Sequence, residues 1–80
     1  MPRFMLHHRH DPPECAVVFA SFKAFDSPLR TRTVVASCDF GGHEIWWQVE
    51  ASTENEALGF LPRFVAERST ACRVADVVIP

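Results

Sequence analysis

The sequence predicts an α+β domain in which four strands form one antiparallel sheet. Segments with the alternating apolar residues of strands lie near both ends of the chain and on either side of a central glycine pair. Two segments with helical spacing and N-terminal capping residues separate them. The 80 residues are 48% hydrophobic and contain no repeat or linker, so we expect a single domain over residues 1–80.

The chain begins with a strand and a helix. The segment 3–10 (RFMLHHRH) alternates in the way that is typical of a strand. Asp11 then offers an N-cap, Pro12 suits the first helical position, and Glu14 completes a capping-box pattern. We therefore expect a helix from about 12 to 25.

A hairpin follows in the middle of the chain. Residues 33–40 (TVVASCDF) are rich in β-branched side chains, and residues 43–51 (HEIWWQVEA) alternate apolar with polar ones. The glycine pair between them favours a tight turn. These two segments are the predicted second and third strands.

The last third of the chain predicts an interrupted helix and a strand. Thr53 and Glu56 form a second capping box at the start of ENEALGFLPRFVAER. Pro62 lies inside this helix and should kink or split it, because its ring clashes with the preceding turn. Residues 72–80 (CRVADVVIP) are the predicted fourth strand.

This order of elements is the ferredoxin-like βαββαβ plan. Right-handed crossovers then give an antiparallel sheet of order 4-1-3-2 with both helices on one face. The opposite face lacks a cover, and a domain this small gains stability by association. We therefore expect a homodimer that forms through the open face of the sheet.

Composition argues against several classes of partner and location. The net charge of −2, with mixed signs, gives no electrostatic footprint for nucleic acid. No apolar run approaches the roughly 20 residues that a membrane span requires, and the N-terminal residues lack the apolar core of a signal peptide. Three dispersed cysteines do not suggest a disulfide framework. We expect a cytoplasmic protein with reduced thiols.

The predicted topology brings the histidines and cysteines of the chain to one edge of the sheet. Strands one and two end at this edge, and strands three and four begin there. Imidazole and thiolate are the ligands that zinc, nickel and copper prefer. The candidate metal ligands are His8, His10, His43, Cys15 and Cys38. Cys72 is also expected at this edge. The Cα atoms of His8 and His10 should lie about 6.6 Å apart on one face, which allows both rings to reach one ion.

A structural interpretation of the same residues remains open. The sequence contains no CxxC, HxxxH or HExxH spacing. Cysteine is often buried as a small hydrophobic residue, so the three cysteines are also consistent with core packing. The histidines are equally consistent with a solvated strand end.

The open face of the sheet carries a second group of candidates. If Ile45 faces the helices, the alternation of the strands places other side chains on the uncovered side. The candidate ligand-binding residues there are Met5, His7, Trp46 and Gln48. His7 is the candidate acid–base residue, because imidazole titrates near neutral pH. Such a face predicts either a ligand cavity or a dimer interface.

Two segments carry a family resemblance. VVASCDFGGHEIWWQVEASTENEALGFL (34–61) resembles the dimeric α+β barrel superfamily, in which a hairpin leads through A-S/P-x-x-E-A into the second helix. That superfamily includes muconolactone-isomerase-like enzymes, cofactor-free monooxygenases and haem-degrading or stress-related dimers. The opening FMLHH is similar to small bacterial proteins, of which one branch binds nickel through strand histidines. The resemblance implies that His8 is a metal ligand, and it gives His43 the place of a histidine in the isomerase-like members.

Three functional hypotheses follow. The first is a dimer that binds nickel, zinc or copper, or a small ligand, through the histidine and cysteine edge. The second is a cofactor-free isomerase or monooxygenase that acts on a small organic substrate in a cavity of the open face. The third is an interaction module without chemistry. No nucleophile–base pair or pair of carboxylates at catalytic spacing is visible, so the sequence leaves enzymatic activity open.

Overall fold

The first strand, β1 (Arg3–Arg9), is one of the two central strands of the sheet, and both of its edges are paired over most of their length. A computed structural model describes residues 1–80. The other strands are β2 (Val35–Ala36), β3 (Glu44–Glu50) and β4 (Ser69–Val74). All pairings are antiparallel and the order is β2-β3-β1-β4. This confirms the predicted α+β class and the predicted order 4-1-3-2, counted from the other edge.

Alternation along β1 separates a buried face from a partly exposed one. Phe4, Leu6 and His8 are buried, whereas Met5 and His7 between them are half-buried. The buried positions lie opposite buried positions of β3, for example Leu6 opposite Trp47. The helices contribute to the same core, so they cover this face of the sheet. The core consists of Phe4, Leu6, Val18, Leu29, Ile45, Trp47, Val49, Ala51, Ala57, Leu61 and Val65.

The helices are shorter than the sequence predicts. A 3-10 turn at Pro12–Glu14 precedes α1 (Cys15–Ser21), so the predicted helix over 12–25 is wrong at its C-terminal end. There the N–H of Lys23 donates to the carbonyl of Ala20, three residues back, and the α-helical ladder stops. α1 is the longest helix, and none could cross a bilayer.

The second helical segment follows its local signals. Thr53 Oγ1 accepts a hydrogen bond from the N–H of Glu56 at 3.1 Å, which confirms the second N-cap. Glu56 Oε2 accepts from the N–H of Ser52 rather than of Thr53. Pro62 divides the segment into α2 (Glu54–Leu58) and α3 (Arg63–Ala66), as its missing N–H predicts.

The second strand is much shorter than the predicted segment 33–40. Only Val35 and Ala36 pair with β3. The N–H of Ser37 donates to the carbonyl of Glu44 at 2.9 Å, and the chain then turns through a 3-10 turn at Cys38–Phe40. The turn therefore begins inside the segment that was predicted as strand.

The fourth strand lies earlier than the predicted segment 72–80. α3 ends at Ala66, and β4 begins only three residues later, with Ser69 opposite His8. Val74 lies opposite Arg3, the first residue of β1, so residues 75–80 have no residue of β1 to pair with. Their apolar side chains, Val77 to Ile79, are exposed.

Replacement of Leu6 by alanine should lower the free energy of unfolding by about 2–5 kcal/mol, because it leaves a cavity at the centre of β1. The matched control is Met5→Ala, one residue away on the half-buried face, which should cost clearly less. Urea denaturation of both variants measures the difference. Equal losses would contradict the assignment of the two faces.

Candidate metal centre

Four histidine and cysteine side chains converge at the end of β1. The ligand atoms of His10, Cys15, Cys38 and His43 all lie within 4.8 Å of one another. His10 follows β1, Cys15 begins α1, Cys38 begins the 3-10 turn after β2, and His43 directly precedes β3. The end of β1, the start of α1 and the turn between β2 and β3 therefore meet at one point. This group could hold a metal ion.

The strand ladder positions the two histidines. Arg9 is paired with Glu44, and the N–H of His10 donates to the carbonyl of His43 at 3.1 Å, which extends the ladder by one pair. The two rings pack edge to face, with 5.3 Å between their centroids. His10 and His43 are therefore held together by the backbone of the sheet, independently of any ion.

A tight turn places Cys38 and His43 on the same side of the hairpin. Gly41 and His43 both have left-handed backbone angles, with φ of 84° and 51°. Histidine is among the residues that tolerate this region better than most. Ser37 Oγ accepts from the N–H of Glu44 at 3.1 Å. A Cβ on Gly42 would lie 2.7 Å from Cβ of Ser37, so this position requires glycine.

The segment before Cys15 is held by a carboxylate. Glu14 accepts hydrogen bonds from the N–H of Asp11 at 3.0 Å and from Nε of Arg68 at 3.1 Å. These two interactions, the Asp11 N–H first, lower the pKa of Glu14. The guanidinium of Arg68 also lies 3.7 Å from the ring centroid of Phe64 in α3. The start of α1 is therefore fixed against α3.

The buried ring of His8 determines which ring nitrogen of a neutral His10 carries the proton. Nδ1 of His8 lies 3.0 Å from Oγ of Ser69 and 3.3 Å from the carbonyl oxygen of Val65. Ser69 Oγ donates its own proton to that carbonyl at 2.6 Å, so Nδ1 of His8 must be the donor. Nε2 of a neutral His8 is then an acceptor.

The orientation of His8 determines the hydrogen bonds of His10. Nδ1 of His10 lies 2.9 Å from Nε2 of His8 and therefore donates to it. Nε2 of His10 is left with a free lone pair, 3.7 Å from Sγ of Cys38. An imidazole whose second nitrogen is held in this way is the usual arrangement of a metal-ligating histidine.

Burial of the cluster disfavours a positive charge on His8 or His10 and a negative charge on Cys38. Burial lowers the pKa of His8 and of His10, and a charge on the neighbouring histidine lowers each further. Burial raises the pKa of the Cys38 thiol, with the Cys15 side chain as a further cause. Near neutral pH the two imidazoles are therefore uncharged and Cys38 is a thiol.

One polar atom of the cluster has no partner. Nδ1 of His43 is buried, and it neither donates nor accepts a hydrogen bond. Leaving a buried polar group unpaired costs about 1–3 kcal/mol, so such atoms are rare without a reason. A coordinated metal ion is one group that would satisfy this nitrogen.

The structure brings most, but not all, of the predicted metal ligands together. His10, His43, Cys15 and Cys38 are brought together. His8 lies outside this group, on the far side of the His10 ring. The expectation that Cys72 lies at the same edge is wrong, because it is exposed within β4 and pairs with Met5.

The candidates on the open face do not all share one cavity. Met5, Trp46 and Gln48 line a cavity of about 270 Å³ beside β2. His7 is not part of its lining. Nε2 of His7 lies 2.8 Å from Oε1 of Glu44, and its ring stacks on Trp46 with centroids 5.4 Å apart.

Sequence reasoning missed the residues that support the cluster. Val65, Ser69 and Arg68 are separated from His10 by more than fifty residues, and no local pattern marks them. Their positions follow from the register between β1 and β4, which the sequence did not predict correctly. The sequence pattern identifies Glu14 only as a capping residue.

Comparison with protein-family models, curated proteins and solved structures gave no match to this chain.

Dibromobimane, which fluoresces strongly when it joins two neighbouring thiols, should crosslink Cys15 to Cys38, because their sulfur atoms lie within 4.8 Å. The reaction is done with a chelator present. Cys72→Ser, which removes the exposed thiol, should leave the fluorescence unchanged, whereas Cys38→Ser should abolish it. Crosslinking that depends on Cys72 would contradict the cluster.

Proposed function

We propose that this protein binds one divalent transition-metal ion per chain, zinc in preference to nickel or copper. The ligands are His10, Cys15, Cys38 and His43. The observation that carries the proposal is that one ligand atom from each of these residues lies within 4.8 Å of the other three.

The spacing of the ligand atoms supports tetrahedral coordination. Bonds of about 2.0–2.3 Å to zinc place neighbouring ligand atoms about 3.3–3.8 Å apart. Sγ of Cys38 and Nε2 of His10 are already 3.7 Å apart. The remaining pairs need to approach by about 1.5 Å at most, from an upper limit of 4.8 Å. Two sulfur and two nitrogen ligands in this arrangement favour zinc, whereas divalent nickel and copper favour square-planar nitrogen and oxygen sites.

Charge balance supports the same ligand set. Two thiolates and two neutral imidazoles bring a charge of −2, which a divalent cation cancels. Burial opposes a proton on His10 and opposes an isolated thiolate at Cys38. A neutral complex therefore suits these surroundings better than any charged state of the metal-free cluster.

The closed ligand set supports a binding role that stabilises the fold. Four protein ligands leave no open position for substrate, which is typical of structural zinc sites. The ion would connect the end of β1, the start of α1 and the turn before β3. With 15 of 80 residues buried, the chain has a small core, and small domains often depend on such a connection.

The finer architecture is also proposed. The chain would follow the ferredoxin-like plan, with its second helix divided at Pro62, and two copies would associate through their open sheet faces. Support comes from the apolar groups on the side away from the helices, where Met5 and Trp46 are half-buried and Val35 is 69% exposed. Membership of the dimeric α+β barrel superfamily remains a prediction.

Cobalt(II) should bind with one ion per chain and give the intense visible bands of a tetrahedral site with sulfur–metal charge transfer. Zinc should displace it, and about two protons should be released per ion, because both thiols must ionise. Cys38→Ser should lower the charge-transfer intensity by about half, because Cys15 remains as the only thiolate ligand. An octahedral cobalt spectrum, or binding unchanged in Cys38→Ser, would contradict the proposed ligands.

His8→Phe should weaken zinc binding by about 10–100-fold, because it removes the acceptor that orients the His10 ring. His7→Phe is the matched control on the opposite face of β1, and it should leave the affinity unchanged. Competition with a chromophoric chelator measures both. A wild-type affinity in a folded His8→Phe variant would show that the hydrogen bond to His10 does not position the ligand.

The mass in solution tests the dimer. Light scattering should give twice the chain mass for the wild type and a monomer for Trp46→Glu, since a carboxylate in an apolar interface is costly. Phe40→Glu, at an exposed position in the turn after β2, is the control and should remain dimeric. A monomeric wild type would overturn the dimer without affecting the metal proposal.

A further inference from the structure

A long irregular segment crosses the helical side of the sheet between α1 and β2. Residues 22–34 form neither helix nor strand, yet they are held in place. Leu29 is buried in the core, and Oγ of Ser27 donates to the carbonyl of Phe60 at 2.6 Å and accepts from the N–H of Leu29. Ordered loops of this length are uncommon and frequently carry function.

This segment closes a cavity of about 210 Å³ against α1 and β3. Its floor consists of Leu29, Ile45 and Trp47, all buried. Phe19 of α1 and Phe22, which directly follows this helix, form part of the wall, and Phe22 packs on Trp47 with 6.1 Å between ring centroids. The interior is therefore apolar and aromatic. It lies on the opposite side of the sheet from the open face.

The rim of the cavity is positively charged and lacks a counterion. Lys23, Arg30 and Arg32 line it, and no acidic residue does. None of the three forms a salt bridge or a side-chain hydrogen bond. Asp26, the carboxylate of the same segment, is not part of the lining. Three unpaired cations around one apolar cavity stand out in a chain whose net charge is −2.

A left-handed residue brings two of these cations to the cavity. Thr31 has a φ of 65°, which is unfavourable for a β-branched side chain. In an extended segment, neighbouring side chains would point to opposite sides. Here Arg30, Thr31 and Arg32 all line the same cavity. Strained conformations of this kind are concentrated at functional sites, including ligand clamps.

We propose that this cavity binds a small amphipathic anion, namely an aromatic or aliphatic carboxylate whose apolar part rests on Trp47 and whose charge meets Arg30 and Arg32. An inorganic anion would leave the apolar floor uncovered, and a neutral apolar ligand would leave the cations unpaired. The site is separate from the proposed metal centre, and the inference does not depend on it.

The test is a nuclear magnetic resonance titration of the full chain with phenylacetate, and with phenylacetamide as its neutral isostere. Phenylacetate should shift the indole resonance of Trp47 and the amide of Thr31 in a saturable way. Phenylacetamide should bind at least about tenfold more weakly, because a hydrogen bond between charged groups is lost.

Two variants locate the charge. Arg30→Gln combined with Arg32→Gln should weaken phenylacetate binding by about tenfold or more and leave phenylacetamide unaffected. Arg73→Gln, an exposed and unpaired arginine on β4, is the matched control and should bind as the wild type does. Equal binding of acid and amide, an unchanged affinity in the double variant, or shifts confined to the open face would each overturn the proposal.

Discussion

The hydrogen bonding of one fully buried imidazole connects the sheet to the proposed metal centre. His8 occupies a core position of β1 where its neighbours on the same face are Phe4 and Leu6. Both of its nitrogens must find partners there, because an unpaired polar atom in the core is costly. The carbonyl of Val65 and the ring of His10 supply them. The same two bonds leave the lone pair of His10 free at the cluster.

Local signals explain what could be predicted from the sequence. Alternation identified β1 and β3, and it placed Met5 and Trp46 on the face away from the helices. The N-cap at Thr53 and the break at Pro62 depend on neighbouring residues only, so they could also be recognised. The convergence of His10 and His43 followed from the strand order alone. These features need no knowledge of exact register.

Features that depend on register or on distant partners could not be predicted. Residues 72–80 have the more apolar sequence, yet the strand forms at Ser69–Val74, because the link from α3 fixes where pairing with β1 begins. This shift moves Cys72 away from the edge and brings Ser69 to His8. The sequence predicts His8 as a ligand because it lies two residues before His10 on the same face of the strand. Only the contacts with Val65 and Ser69 show that it lies behind the ligand.

The short helix α1 links the two proposed sites. Its first residue, Cys15, belongs to the metal cluster, and Phe19 near its other end lines the cavity. A helix of seven residues has little stability of its own, so contacts at its ends decide its position. Trp47 provides a second link, because its ring packs between His8 and Phe22. An ion held at Cys15 would fix one end of the helix, and with it the aromatic wall against which an anion would bind.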